Sequence, residues 1–216
     1  MRMRPLTNNT HKSMLKILGR PILEHILSDL PSEIDEVILV VGYLKESIVN
    51  HLGNKFGNFR IKYIEQEQRG GTYKALELCK GMLNDDERFM MLYADDLHGA
   101  EGLKGCVNCG QNAMLVYEVD DPRRFGVVEI DAGGMIVGIE EKPENPKTNL
   151  VSTGAMVLDK NIFNFPARAH QNGEHYLTDS IEQMIKVGYK FKAVRSSSWI
   201  PVGYPEDLVR AEKKLK

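Results

Sequence analysis

The feature that most constrains this chain is an alternation. Short apolar, β-branched runs are separated by stretches with helical periodicity, the pattern of an α/β layered fold. DEVILVVGY (Asp35 to Tyr43) is a nearly continuous apolar run, as expected for a strand covered on both faces. FRIKYIEQ (Phe59 to Gln66) alternates more strongly, and RFMMLYADD (Arg88 to Asp96) and NAMLVYEVDD (Asn112 to Asp121) again read as central strands. Between them lie helices. PILEHILSDL places Pro21 at a first helical position and lines up Ile22, Leu23, Ile26, Leu27 and Leu30 on one stripe. GTYKALELCKGML does the same with Ala75, Leu76, Cys79, Met82 and Leu83. YLTDSIEQMIKVG repeats it with Leu177, Ile181, Met184 and Ile185, and stops at Gly188.

In GVVEIDAGGMIVGIEEKP, the pair Gly133 and Gly134 stands between two β-rich runs, a hairpin signal. NLVSTGAMVLD and YKFKAV supply further strands, and PEDLVRAEKKL is a final helix opened by Pro205. The expected fold is therefore α/β: a Rossmann-like mixed, mostly parallel sheet flanked by helices, with an antiparallel hairpin excursion. With 216 residues and no repeat, low-complexity stretch or long linker, residues 1–216 are expected to form a single domain.

Charge and hydropathy exclude several classes of partner. A formal net charge of −2 offers no basic field for nucleic acid. No apolar run approaches the roughly 20 residues that cross a bilayer, and no apolar segment of a signal peptide opens the chain, so no membrane partner and a cytoplasmic location are expected. Three cysteines, an odd number, fit reduced thiols. Cys106 and Cys109 form one C-x-x-C, but no second pair completes a zinc tetrad, and the six histidines form no H-E-x-x-H. Trp199 reads as a packing residue. Assembly into a homo-oligomer is compatible with the sequence but not specified by it.

In open α/β sheets, ligands lie beyond the carboxyl ends of the strands, and three polar clusters fall there. Asp95 and Asp96 come directly after MMLYA, where a carboxylate could hold Mg²⁺ or simply cap a helix. GIEEKP ends a hairpin strand, with Lys142 able to meet a phosphate and Glu141 able to accept from sugar hydroxyls, or both merely solvated. EQEQRGGTYKAL places Gly70 and Gly71 before a helix, where backbone amides can cradle an anion or where the glycines only make a turn.

In combination these motifs are more specific. RMRPLT, HKSMLKILGRPILEHIL, EQEQRGGTYKAL, YADD, DDPRRFGVVEID, EEKP, NLVSTGAMVL, HYLTD and WIPVGYPEDL occur in one order over essentially the whole chain. This order resembles the sugar-1-phosphate nucleotidyltransferases, closest to the glucose-1-phosphate thymidylyltransferases and uridylyltransferases. The resemblance implies a Rossmann-like sheet, NTP and a sugar 1-phosphate as partners, Mg²⁺ as cofactor, and direct in-line attack without a covalent enzyme intermediate. It also implies residue roles. Arg2 would steady the triphosphate and Lys12 would neutralise phosphate charge near the reacting centre. Gln66 and Gly71 would read the base, and Asp95 would bind Mg²⁺. Gly126 would offer its amide to the sugar, Glu141 would bind sugar hydroxyls, Lys142 would hold the sugar phosphate, and Thr153 would flank the sugar pocket.

Two departures accompany the likeness. The family begins with an apolar strand and a glycine-rich loop that would precede Arg2, so the expectation is a domain lacking that strand and most of that loop. Pro201 stands where the family commonly carries a second metal-binding aspartate, leaving Asp95 alone or Asp96 beside it. The resemblance supports three readings: a nucleotidyltransferase using glucose 1-phosphate with dTTP or UTP, a mannose-1-phosphate guanylyltransferase, and a nucleotide or nucleotide-sugar binding paralogue with weak catalysis. A glycosyltransferase of similar fold would need a D-x-D motif, and Asp95 and Asp96 are adjacent. No hexapeptide repeats come after the domain, so no acyltransferase β-helix is expected.

Overall fold

The computed structural model describes residues 3–68, 70–84 and 88–215. Arg2 lies outside the described residues. The chain enters through turns and a single 3₁₀ turn at Lys12–Met14, capped by the His11 side chain, which accepts from the Ser13 backbone amide. A tight hairpin of β1 (Lys16–Ile17) and β2 (Arg20–Pro21) leads directly into α1 (Ile22–Ser28). Pro21 stands just ahead of the helix rather than inside it, because it pairs with Lys16 across the hairpin. The apolar stripe of α1 is buried as the periodicity requires, through Ile22, Leu23, Ile26 and Leu27.

Next come β3 (Glu36–Val41), α2 (Lys45–Leu52), β4 (Lys55–Phe56) and β5 (Phe59–Glu65). They form a three-stranded sheet in the order β3-β5-β4, with β3 and β5 parallel in register from Glu36↔Arg60 to Val41↔Glu65. Among the described residues β3 is paired on one side only, and five of its six residues are half-buried. This differs from the strand covered on both faces that its apolar run suggests. Continuous apolar composition reports low polarity, not the number of neighbouring strands.

α3 (Thr72–Leu78) continues as a 3₁₀ turn over Cys79–Met82 and is followed by β6 (Phe89–Leu92), β7 (Asp96–Leu97), α4 (Ala100–Asn108) and β8 (Ala113–Glu118). The hairpin strands are β9 (Gly126–Ile130) and β10 (Ile136–Glu141), and β11 (Leu150–Leu158) returns through the centre. α5 (Leu177–Lys186), β12 (Lys192–Arg195), β13 (Ile200–Pro201) and α6 (Pro205–Lys214) complete the fold. The larger sheet runs β10-β9-β11-β8-β12, with β6 on the far half of β11.

This α/β fold is mixed, and its antiparallel share extends past the hairpin. β11 runs against β6, β8 and β9, whereas β12 is parallel to β8. The main core lies where α5 covers this sheet: Leu177, Ile181 and Met184 are fully buried against Met114, Val128, Ile139 and Met156. Burying such side chains stabilises by about 1.5–3 kcal/mol each. That packing fixes the start of α5, and the site depends on it. No helix among the described residues is long and apolar enough to cross a membrane.

Candidate functional site

One concave site collects residues from six parts of the chain. Its walls include Tyr93 and Asp96 after β6, Gly126 from β9, Glu141 and Lys142 at the end of β10, Thr153 from β11 and Thr178 from α5. Four residues singled out from the sequence, Gly126, Glu141, Lys142 and Thr153, therefore meet around a single cavity. Antiparallel register places Gly126 directly opposite Glu141, which explains how a hairpin delivers both.

Each wall has a physical cause. The Glu141 carboxylate accepts from Lys142 Nζ at 2.6 Å and from Thr178 Oγ1 at 3.0 Å. A Cβ on residue 126 would come within 3.0 Å of the Thr178 methyl and 3.5 Å of Glu141 Oε2, so glycine there leaves room for that hydrogen bond. Lys142 sits at φ 46°, in the left-handed region, which turns its ammonium over the Tyr176 ring at 4.1 Å from the centroid. Burial pulls the Lys142 pKa down, but its hydrogen bond and charge contact with Glu141 outweigh this and leave it above the ordinary lysine value. Lys142 is therefore a cation at neutral pH.

Thr153 is buried, and its hydroxyl donates to the Leu115 carbonyl at 3.1 Å, so it shapes the wall with its donor already engaged. The Tyr93 ring is held in place by close approach to Gly154. A Cβ there would lie 2.2 Å from a ring carbon, and Gly154 has φ +80°. Burial pushes the Tyr93 phenol well above its ordinary value, so the hydroxyl keeps its proton.

A second cluster adjoins this cavity through Asp96. Lys12, from the 3₁₀ turn near the start of the chain, reaches Asp95 Oδ2 at 2.6 Å across more than eighty residues of sequence. The adjacent Asp96 turns inward, and its Oδ1 accepts from the Val202 amide at 3.1 Å. Burial, reinforced by the Asp95 charge, pushes the Asp96 carboxyl up to about 8, against the pull of Lys12. In the short β7–β13 pairing Asp96 stands directly opposite Pro201. Asp96 is thus the cross-strand neighbour of the position where the sequence offers only proline.

Gln66 and Gly71 lie on a third edge and do not line the cavity. Gln66 leaves β5 with its amide bonded to the Val41 carbonyl at 2.8 Å. Gly71 precedes α3 at φ +87°, and a Cβ there would lie 2.5 Å from the His175 carbonyl oxygen. Glycine is required at this position both by the backbone angle and by the space.

Sequence reasoning missed Tyr93, Arg124, Phe125, Ser152 and Thr178, all of which line the cavity. Arg124 stacks on Tyr204 at 4.8 Å. Thr178 lies within the HYLTD motif, but nothing local shows that its hydroxyl meets Glu141. Trp199 packs as expected, edge-on to Phe125 with centroids 5.2 Å apart, and it also contributes to the cavity wall. Among the described residues no three histidine, cysteine or carboxylate side chains converge to hold a metal by themselves.

The chain is 37% identical to a bifunctional protein GlmU of Methanocaldococcus jannaschii over 99% of its own length and 51% of that protein. It therefore spans about half the length of that relative. It is 33% identical to the UTP–glucose-1-phosphate uridylyltransferase AglF of Haloferax volcanii, covering all of this chain and 92% of that one. A solved structure from Bacillus anthracis, assigned as a glucose-1-phosphate thymidylyltransferase in complex with sucrose, superposes with a TM-score of 0.86 at 27% identity, over 99% of this chain and 89% of that one. The family model described as nucleotidyl transferase matches residues 1–216, and the chain belongs to that family.

Proposed function

We propose that this protein transfers a nucleoside monophosphate from an NTP to a sugar 1-phosphate, with glucose 1-phosphate and UTP or dTTP as the pair. The observation that carries this reading is the meeting of Gly126, Glu141 and Lys142 at one cavity, with the Lys12–Asp95 pair at its neighbour. A half-buried acceptor beside a cation suits a ligand with hydroxyls at one end and a phosphate at the other.

In the proposed reaction an oxygen of the sugar phosphate forms a bond to the α-phosphorus of the NTP. The bond from that phosphorus to the bridging oxygen breaks, and pyrophosphate leaves with the electron pair. No side chain needs to become a nucleophile, so the protein's work is alignment and charge compensation. Glu141 accepts from sugar hydroxyls, and Lys142 holds the sugar phosphate at a fixed distance from it. Lys12 exchanges its bond to Asp95 for phosphate oxygens, while Gln66 and the turn at Gly71 face the base. Asp95, with 42% of its side chain exposed, and Asp96 beside it supply the one or two carboxylates that Mg²⁺ takes when phosphates and water complete its shell. When bound there, the ion would offset charge on the triphosphate.

Pyrophosphate release measured with Mg²⁺ over dTTP, UTP, GTP, CTP and ATP, each against glucose, mannose and glucosamine 1-phosphates, tests this. Turnover with glucose 1-phosphate and UTP or dTTP is expected. A folded protein silent across the whole grid would remove the reading.

A further inference from the structure

The glycine turn and the sugar-side wall are far apart in sequence, yet one short segment touches both. On the turn side, His175 donates its amide to the Gly70 carbonyl at 2.9 Å, and Tyr73 donates to the His175 carbonyl at 3.0 Å. Leu177 donates to Thr72 Oγ1 at 2.9 Å. The fit is close, because even a Cβ on Gly71 would collide with the backbone of His175. On the sugar side, the next residues hold both charged groups. The Tyr176 ring lies under Lys142 Nζ, and Thr178 Oγ1 donates to Glu141 Oε2.

We infer that residues 175–178 couple the nucleotide side of the site to its sugar side, with Thr72, Tyr176 and Thr178 as positioning residues for Glu141 and Lys142. This rests on the substrate assignment proposed above. The coupling has a mechanical basis. Leu177 is fully buried and anchors the first turn of α5 in the main core, so the segment is a short rigid link rather than a loose loop. A shift of the glycine turn upon nucleotide binding cannot be absorbed by a gap at His175 and is passed to Tyr176 and Thr178. Glu141 and Lys142 then move with them. By reciprocity, a sugar phosphate bound to Glu141 and Lys142 tightens nucleotide binding by the same factor.

The test uses the full chain with Thr178→Val, Thr178→Ser and Thr72→Val, and has two arms. In the first, amide NMR shifts of Gly126 and Lys142 are compared between wild type and Thr72→Val without any ligand. Shifts at these two residues are expected. Unchanged signals would overturn the coupling, whatever the protein binds. In the second, calorimetric titration with glucose 1-phosphate is performed with and without UTP. Thr178→Val is expected to weaken glucose 1-phosphate binding about tenfold with UTP affinity unchanged, and Thr178→Ser to restore it. Thr72→Val is expected to reduce the factor by which UTP tightens glucose 1-phosphate binding, and its effect is expected not to add to that of Thr178→Val. Strict additivity, or full glucose 1-phosphate affinity in Thr178→Val, would overturn the inference. Wild-type protein that binds neither ligand while the first arm shows its shifts would instead overturn the substrate assignment.

Discussion

His98 makes the stability of this protein acid-sensitive in a calculable way. Its side chain is 1% exposed, its Nδ1 has no hydrogen-bond partner among the described residues, and its Nε2 lies a long 3.4 Å from the Tyr93 carbonyl. Burial holds the imidazole neutral and pushes its pKa down from 6.5 to about 4, only partly opposed by the Tyr93 carbonyl and the Asp95 charge. The unfolded chain therefore takes up this proton first. Stability associated with His98 is complete above the unfolded value and is lost as pH falls from about 6.5 through about 4. With those two values the loss is roughly 2 kcal/mol by pH 5 and roughly 3 kcal/mol by pH 4. His98→Gln has no titrating ring, so its own cost is an offset independent of pH. Urea unfolding followed by circular dichroism at pH 7 and pH 5 should show wild type losing about 2 kcal/mol more than the variant between the two conditions. Parallel losses in the two proteins would refute the assignment of a buried neutral imidazole.

Other perturbations separate structure from chemistry. Lys142→Ala should raise the KM for the sugar phosphate strongly and leave nucleotide binding nearly intact in titration; unchanged kinetics would remove the role given to its ammonium. Asp95→Asn should abolish Mg²⁺-dependent turnover while shifting the thermal midpoint little, because the Lys12–Asp95 pair is partly exposed and such pairs stabilise by about 0–1 kcal/mol. Retained turnover would contradict the metal assignment, and a large loss of stability would contradict the energetic one. Gly154→Ala should destabilise by about 3 kcal/mol or more, since the new methyl meets the Tyr93 ring in a backbone region that L-residues avoid. A near-normal melting temperature would show that the ring can move aside.

Much of this molecule was legible in its residues, and the limit of that legibility has physical reasons. The stripe of α1, the stripe of α5 and the hairpin turn at Gly133 and Gly134 arise from periodicity and turn chemistry, which act over a few residues. Strand neighbours do not. The apolar runs of β3 and β11 read alike, yet β3 pairs on one side among the described residues, whereas β11 pairs on both and runs antiparallel to its neighbours. A strand's own sequence carries its faces, not its order or direction in the sheet. The site divides in the same way. Residue types at Lys12, Asp95, Glu141 and Lys142 announce charge chemistry from the sequence alone. Only the tertiary structure brings Lys12 to Asp95, sets Asp96 opposite Pro201 and lays Thr178 against Glu141, because those contacts depend on register and on the packing of α5 against the sheet.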